Sequence, residues 1–129
     1  MVEIGKKNTV EWTVEPGMLA RNMGSGSLDV FSTPMCVALL ENAAANMLET
    51  GLEEGVTTVG TRMALDHIAA TPEGMKVRGE AVLTAVEGRK YTFSVSAYDE
   101  KEKIAEGEHE RFAVRSERFL EKARAKKAE

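Results

Sequence analysis

Met35-Cys36-Val37-Ala38-Leu39-Leu40-Glu41-Asn42-Ala43-Ala44-Ala45-Asn46-Met47-Leu48 is apolar nearly all the way round a helical wheel. A surface helix keeps one wet face, so this one has to be wrapped by other elements. Ser32-Thr33-Pro34 marks its start, with a hydroxyl residue at the N-cap and a proline in the first turn, where a missing N–H costs nothing. Its end falls near Thr50, before Gly51. Four strand-like segments follow, at about 57–68, 75–86, 89–99 and 104–114. They are separated by Thr71-Pro72-Glu73-Gly74, Glu87-Gly88 and Asp99-Glu100-Lys101, and two of these joints suit antiparallel hairpins. Upstream, residues 9–14 alternate polar and apolar as a half-buried first strand, which Pro16-Gly17 stops.

One buried helix and a run of strands make an α+β protein in which a long antiparallel sheet curls around a central helix, the hotdog layout. The 129 residues, 43% hydrophobic and 29% charged, are enough for a single domain over 1–129, with 1–8 and 121–129 peripheral or frayed. A lone protomer of this kind leaves sheet edges and a helix flank uncovered, so a homodimer, or a dimer of dimers, is expected. Residues 18–30 read as a loop around Gly24-Ser25-Gly26-Ser27, either a mobile flap or a plain surface connection. The tail from Glu117 onward is polar and helix-favouring.

The formal charge of −4 offers no basic surplus for a nucleic-acid backbone. Neither a signal-peptide core nor a run of roughly 20 apolar residues is present, so a cytoplasmic protein without membrane attachment is expected. One cysteine, Cys36, cannot form an intrachain disulfide and reads as a small core residue. Two distant histidines make a zinc site unexpected, and no metal or redox cofactor is called for.

Three side chains could carry chemistry. Strand alternation puts His67 in phase with Val59, Thr61, Met63 and Leu65, although a single histidine at a strand end is most often structural. Glu41 emerges among Val37, Ala38, Ala44 and Ala45, where a carboxylate is costly unless it is paired, hydrogen-bonded or protonated. Thr33 stands where a hydroxyl commonly caps the helix, and also where the positive helix end stabilises developing negative charge. An imidazole, a carboxylate and a hydroxyl beside a helix start are the parts of an acyl-transfer site. His109 alternates with Gly107 and Arg111 and reads as structural or interfacial. Arg111, Arg115, Arg118, Lys122, Arg124, Lys126 and Lys127 form a basic C-terminal run, either a solvated face or a landing site for the phosphates of a nucleotide.

Phe31-Ser32-Thr33, Leu39 to Ala44, Gly60 to Gly74 and Gly107 to Arg111, taken together, resemble the fluoroacetyl-CoA thioesterase family of hotdog proteins. Eight residues separate Thr33 from Glu41 and twenty-six separate Glu41 from His67, as in the family's threonine, glutamate and histidine triad. The resemblance implies that these three are catalytic, that Gly60 lies near the thioester carbonyl, and that the substrate is an acyl-CoA. It makes Glu41 the nucleophile or water-activating base, His67 the general acid/base and Thr33 an orienting hydroxyl or alternative nucleophile. The family's fluoroacetate-resistance enzyme has an aromatic-rich lid before its triad threonine, whereas residues 21–29 here are shorter and hold no phenylalanine. A general short- or medium-chain acyl-CoA thioesterase is therefore expected. The competing readings are a hotdog module that binds an acyl thioester or small acid without turnover, and an acyl-thioester hydratase or dehydratase.

Overall fold

A computed structural model describes residues 2–127. Strand β1 (Lys7–Thr13) is followed by a 3-10 turn (Pro16–Met18), the short helix α1 (Ala20–Met23) and the long helix α2 (Thr33–Glu49). Then come β2 (Val56–His67), β3 (Lys76–Glu87), β4 (Lys90–Tyr98), β5 (Lys103–Arg115) and helix α3 (Ser116–Arg124), which runs into a 3-10 turn at Ala125–Lys127. Ala128 and Glu129, part of the expected frayed tail, lie outside the described residues.

The five strands form one antiparallel sheet in the order β1-β3-β4-β5-β2. With α2 against its concave face, this is the hotdog fold expected from the apolar helix. Cys36, Leu39, Leu40, Ala43, Ala44, Met47 and Leu48 of α2 pack on Val77, Ala81 and Leu83 of β3, Phe93, Val95 and Ala97 of β4, and Ile104 and Ala105 of β5. The helix sits so low on the sheet that a Cβ on Gly79 would lie 2.7 Å from Leu39 Cγ. The sheet does not wrap the helix completely. Val37, Ala38, Glu41 and Ala45 form a half-buried stripe at helical spacing, and β2 is an edge strand with one side of its ladder open.

Two expectations need correction. The N-cap is Ser32, whose hydroxyl accepts from the Met35 N–H, so Thr33 is already inside the first turn. The segment 18–30 is not all loop: Leu19 and Phe31 form an isolated bridge around α1, and Ala20 N–H and Arg21 N–H donate to the Val30 and Leu28 carbonyls. The connections otherwise follow turn chemistry. Glu87 pairs with Lys90 across a two-residue turn whose first residue, Gly88, has φ of 63°, the left-handed geometry a tight hairpin requires. The Asp99 carboxylate caps the β4–β5 turn through Lys101 N–H and Glu102 N–H and accepts from the Thr71 hydroxyl, pinning the chain after β2.

Candidate active site

The site is organised by a fault in β2. Gly60 pairs with Arg111 and Arg62 with Glu110, so Thr61 is an extra residue in the strand, a β-bulge. Alternation restarts after it. Thr58 and Gly60 face α2 before the bulge, and Met63, Leu65 and His67 face it afterwards. The phase expected for His67 is corrected accordingly: Met63 and Leu65 share its face, whereas Val59 and Thr61 do not, because one inserted residue inverts the pleat.

At the C-terminal end of β2, His67 meets the start of α2. Its Nδ1 lies 2.7 Å from the Thr33 Oγ1, a contact available because Ser32 has taken over the capping. His67 Nε2 is shut off from solvent and has no hydrogen-bond partner among the described residues. Burial lowers the imidazole pKa, which keeps the ring neutral at pH 7 and able to accept a proton. Beside this pair opens a cleft of about 280 Å³, lined by Phe31, Thr33, His67 and Ile68 among others, with Ala20 and Ser25 contributed by the α1 segment. At the α2 start Pro34 has no N–H and those of Met35 and Cys36 donate to the Ser32 hydroxyl and carbonyl, so it is the positive end of the helix dipole that favours negative charge in the same region.

Glu41 is elsewhere. Two helical turns beyond Thr33, about 12 Å along the axis, it lies against Gly60, where a Cβ would come 2.5 Å from its Oε2. Only glycine leaves room for the carboxylate there. Its Oε2 is 3.8 Å from the Nη1 of Arg111, a residue only 7% exposed. The guanidinium is held by Nε donating to Thr58 Oγ1 at 2.9 Å and Nη2 donating to the Thr58 carbonyl at 3.0 Å. His109, buried and stacked on Phe93, stands 3.2 Å from Arg111 Nη1 through its Nε2. Burial lowers the pKa of Arg111, with Glu41 acting in the opposite sense, and the guanidinium stays charged.

Of the four residues expected in the site, Thr33 and His67 meet in one place and Glu41 and Gly60 in another, and a single copy does not close them into one triad. Arg111 was read as part of the C-terminal basic run; it is instead buried beneath Glu41, because its strand phase with His109 turns it inward. That alternation was the signal available in the sequence. Cys36 lies in the core, and burial pushes its thiol pKa up to about 12. Arg89, Arg115, Arg118 and Lys122 line an open groove with Phe119 on and beside α3, away from both clusters. Among the described residues, no three His, Cys, Asp or Glu side chains gather as a metal site, and no helix is long and apolar enough to cross a membrane.

Comparison with known proteins places these features in a family. The sequence profile of a family described as fluoroacetyl-CoA-specific thioesterase (FlK) matches residues 14–117. A fluoroacetyl-CoA thioesterase from Streptantibioticus cattleyicolor is 34% identical over 131 residues, covering 97% of this chain and 94% of that protein. A solved structure of a fluoroacetyl-CoA thioesterase, FlK, superposes with a TM-score of 0.93 at 33% identity over 98% of both chains. A thioesterase superfamily member from Thermus thermophilus superposes with a TM-score of 0.91 at 27% identity, over 98% of this chain and 94% of that one.

Proposed function

We propose, for a chain that belongs to the fluoroacetyl-CoA-specific thioesterase family and is an acyl-CoA thioesterase, that Thr33, Glu41 and His67 hydrolyse a short- or medium-chain acyl-CoA in a site completed by two copies. The observation that carries this reading is the 2.7 Å contact between Thr33 Oγ1 and His67 Nδ1, at a helix N-terminus beside a cleft.

The chemistry follows from that geometry. The thioester carbonyl sits with its oxygen toward the start of α2, where the positive end of the helix dipole stabilises the oxyanion. Glu41 takes a proton from the water that attacks the carbonyl carbon, or attacks that carbon itself to form an anhydride that water then hydrolyses. On collapse the C–S bond breaks and the electron pair leaves on sulfur. His67, oriented through Nδ1 by the Thr33 hydroxyl, receives the proton that the water gives up and relays it to that sulfur, so that one water and one thioester become the free acid and the CoA thiol.

Assembly supplies what one copy lacks. The open edge of β2 and the half-buried stripe of α2 belong to the same flank, and both are covered if two β2 strands run antiparallel about a two-fold axis near Met63. That arrangement lays the Thr33–His67 end of one copy over the Gly60–Glu41 region of the other. The same reading makes the whole chain one hotdog thioesterase domain, a cytoplasmic homodimer or dimer of dimers.

The test is complementation. Glu41→Ala and His67→Ala are each expected to be inactive, and mixing the two after mild dissociation should restore thiol release, since a mixed dimer contains one intact shared site. Inactive single variants with no recovery, in a mixture shown to contain mixed dimers, would return all three residues to one chain. Thiol release from a panel of acyl-CoAs, with enoyl-CoA hydration followed in parallel, separates hydrolysis from simple binding and from hydratase activity.

A further inference from the structure

We infer that His109 is a positioning residue, which holds the Arg111 guanidinium in the orientation that faces Glu41. This rests on the reading of Glu41 as catalytic and adds a residue to its support.

The hydrogen bonds determine what His109 can do. Its Nδ1 lies 2.8 Å from the Arg62 carbonyl oxygen. A carbonyl only accepts, so Nδ1 carries the proton, and in the neutral ring Nε2 is left as a lone pair. That lone pair faces Arg111 Nη1, which can only donate. The imidazole thus has one usable state here, neutral and protonated on Nδ1; a doubly protonated ring would turn an N–H toward a guanidinium. Burial is the largest cause lowering the His109 pKa, the Arg62 carbonyl pulls upward and the Arg111 charge downward, and Glu41 and Glu110 act upward.

Thr58 fixes the Nε and Nη2 side of Arg111, and His109 fixes Nη1, so the guanidinium plane is held at three points. Nη1 is also the atom nearest the Glu41 carboxylate. With the lone pair of His109 gone, a buried N–H loses its acceptor and the end of Arg111 that addresses Glu41 is free to turn. The ring is itself wedged: it stacks on Phe93 with centroids 6.0 Å apart, and its Cε1 is 3.3 Å from where a Cβ on Gly60 would stand. His109 does not line the Thr33–His67 cleft, and its side-chain path to the reaction runs through Arg111 and Glu41.

The experiment compares His109→Phe, His109→Asn and His109→Gln in the assembled enzyme by kcat, KM and thermal melting, with ring-nitrogen NMR on the unmodified protein. A misplacement of this kind costs on the order of 10²-fold in rate. His109→Phe and His109→Asn, which cannot accept from Arg111, should lose kcat by that order with KM nearly unchanged. His109→Gln, whose amide oxygen reaches as far as Nε2, should recover most of it. The NMR should show Nδ1 protonated and Nε2 bare at neutral pH. Equal kcat in the Asn and Gln variants, or a protonated Nε2, would overturn the inference even where His109→Phe fails to fold. Full activity in His109→Phe beside an inactive Glu41→Ala overturns it alone, whereas an active Glu41→Ala overturns the catalytic reading of Glu41.

Discussion

The two ends of β2 present opposite solutions to placing a polar group in an apolar fold. At His67 the groups are few, the cleft is open and one ring nitrogen is unpartnered. At Gly60 the groups are many and interlocked: a guanidinium is hydrogen-bonded to a threonine and an imidazole, with a carboxylate 3.8 Å from its Nη1. On the proposed reading the first region exchanges a proton and the second keeps a charge still, the two properties that catalysis by general acid and base needs.

The hardest way to break this comparison is to delete one group from each end. Glu41→Ala and His67→Ala should each lower turnover by about 10²- to 10⁴-fold while the melting temperature stays close to that of the parent protein. Near-normal thiol release in His67→Ala would remove the proton-exchanging end altogether. Gly60→Ala is more pointed. The added methyl displaces the flexible end of Glu41 rather than backbone, so the protein should fold, yet turnover should fall by about 10²-fold. Unchanged kinetics would mean that the position of the carboxylate does not matter. At the other end, Thr33→Ser keeps the hydroxyl and should retain most activity, with Thr33→Ala losing more.

Smaller effects sharpen the contrast. Fluoroacetyl-CoA should gain little over acetyl-CoA once kcat/KM is corrected for the uncatalysed hydroxide rates, because the α1 segment beside the cleft carries Met23 and Leu28 but no aromatic side chain. A corrected preference near 10³-fold, about 4 kcal/mol, would show that selectivity has another origin. Finally, burial lowers the pKa of both histidines below the ordinary 6.5. The unfolded chain therefore binds protons first as pH falls, so their contribution to stability is complete above about pH 6.5 and is lost as pH drops through the folded values. Melting temperature measured against pH should decline below that point, and His109→Gln should lessen the decline.

Much of this was legible in the sequence because it depends on local patterns. An apolar wheel, a hydroxyl-proline start and three turn signals placed α2 and four strands with ends within a residue or two of Thr33–Glu49, Val56–His67, Lys76–Glu87, Lys90–Tyr98 and Lys103–Arg115. What escaped depends on contacts between distant segments. Ser32 and Thr33 are equally good caps in isolation, and only His67, thirty-four residues away, gives Thr33 another partner. Arg111 looks like its basic neighbours until the pleat turns it under α2. The bulge has no composition of its own, since Thr61 is an ordinary strand residue.

That extra residue behaves like a frameshift in three dimensions. Thr61 is exposed and its side chain only donates to the Glu110 carbonyl, so its chemical identity is open to change. What matters is that the ladder steps over it, with Gly60 against Arg111 and Arg62 against Glu110. Were Thr61 drawn into regular pairing, every residue from Arg62 onward would exchange inside for outside relative to Gly60, and the side chain arriving under the first turn of α2 would be Asp66 instead of His67. The strand thus tolerates rewriting of this letter, and even its loss would leave the pleat in step; what it does not tolerate is reading the letter as part of the ladder.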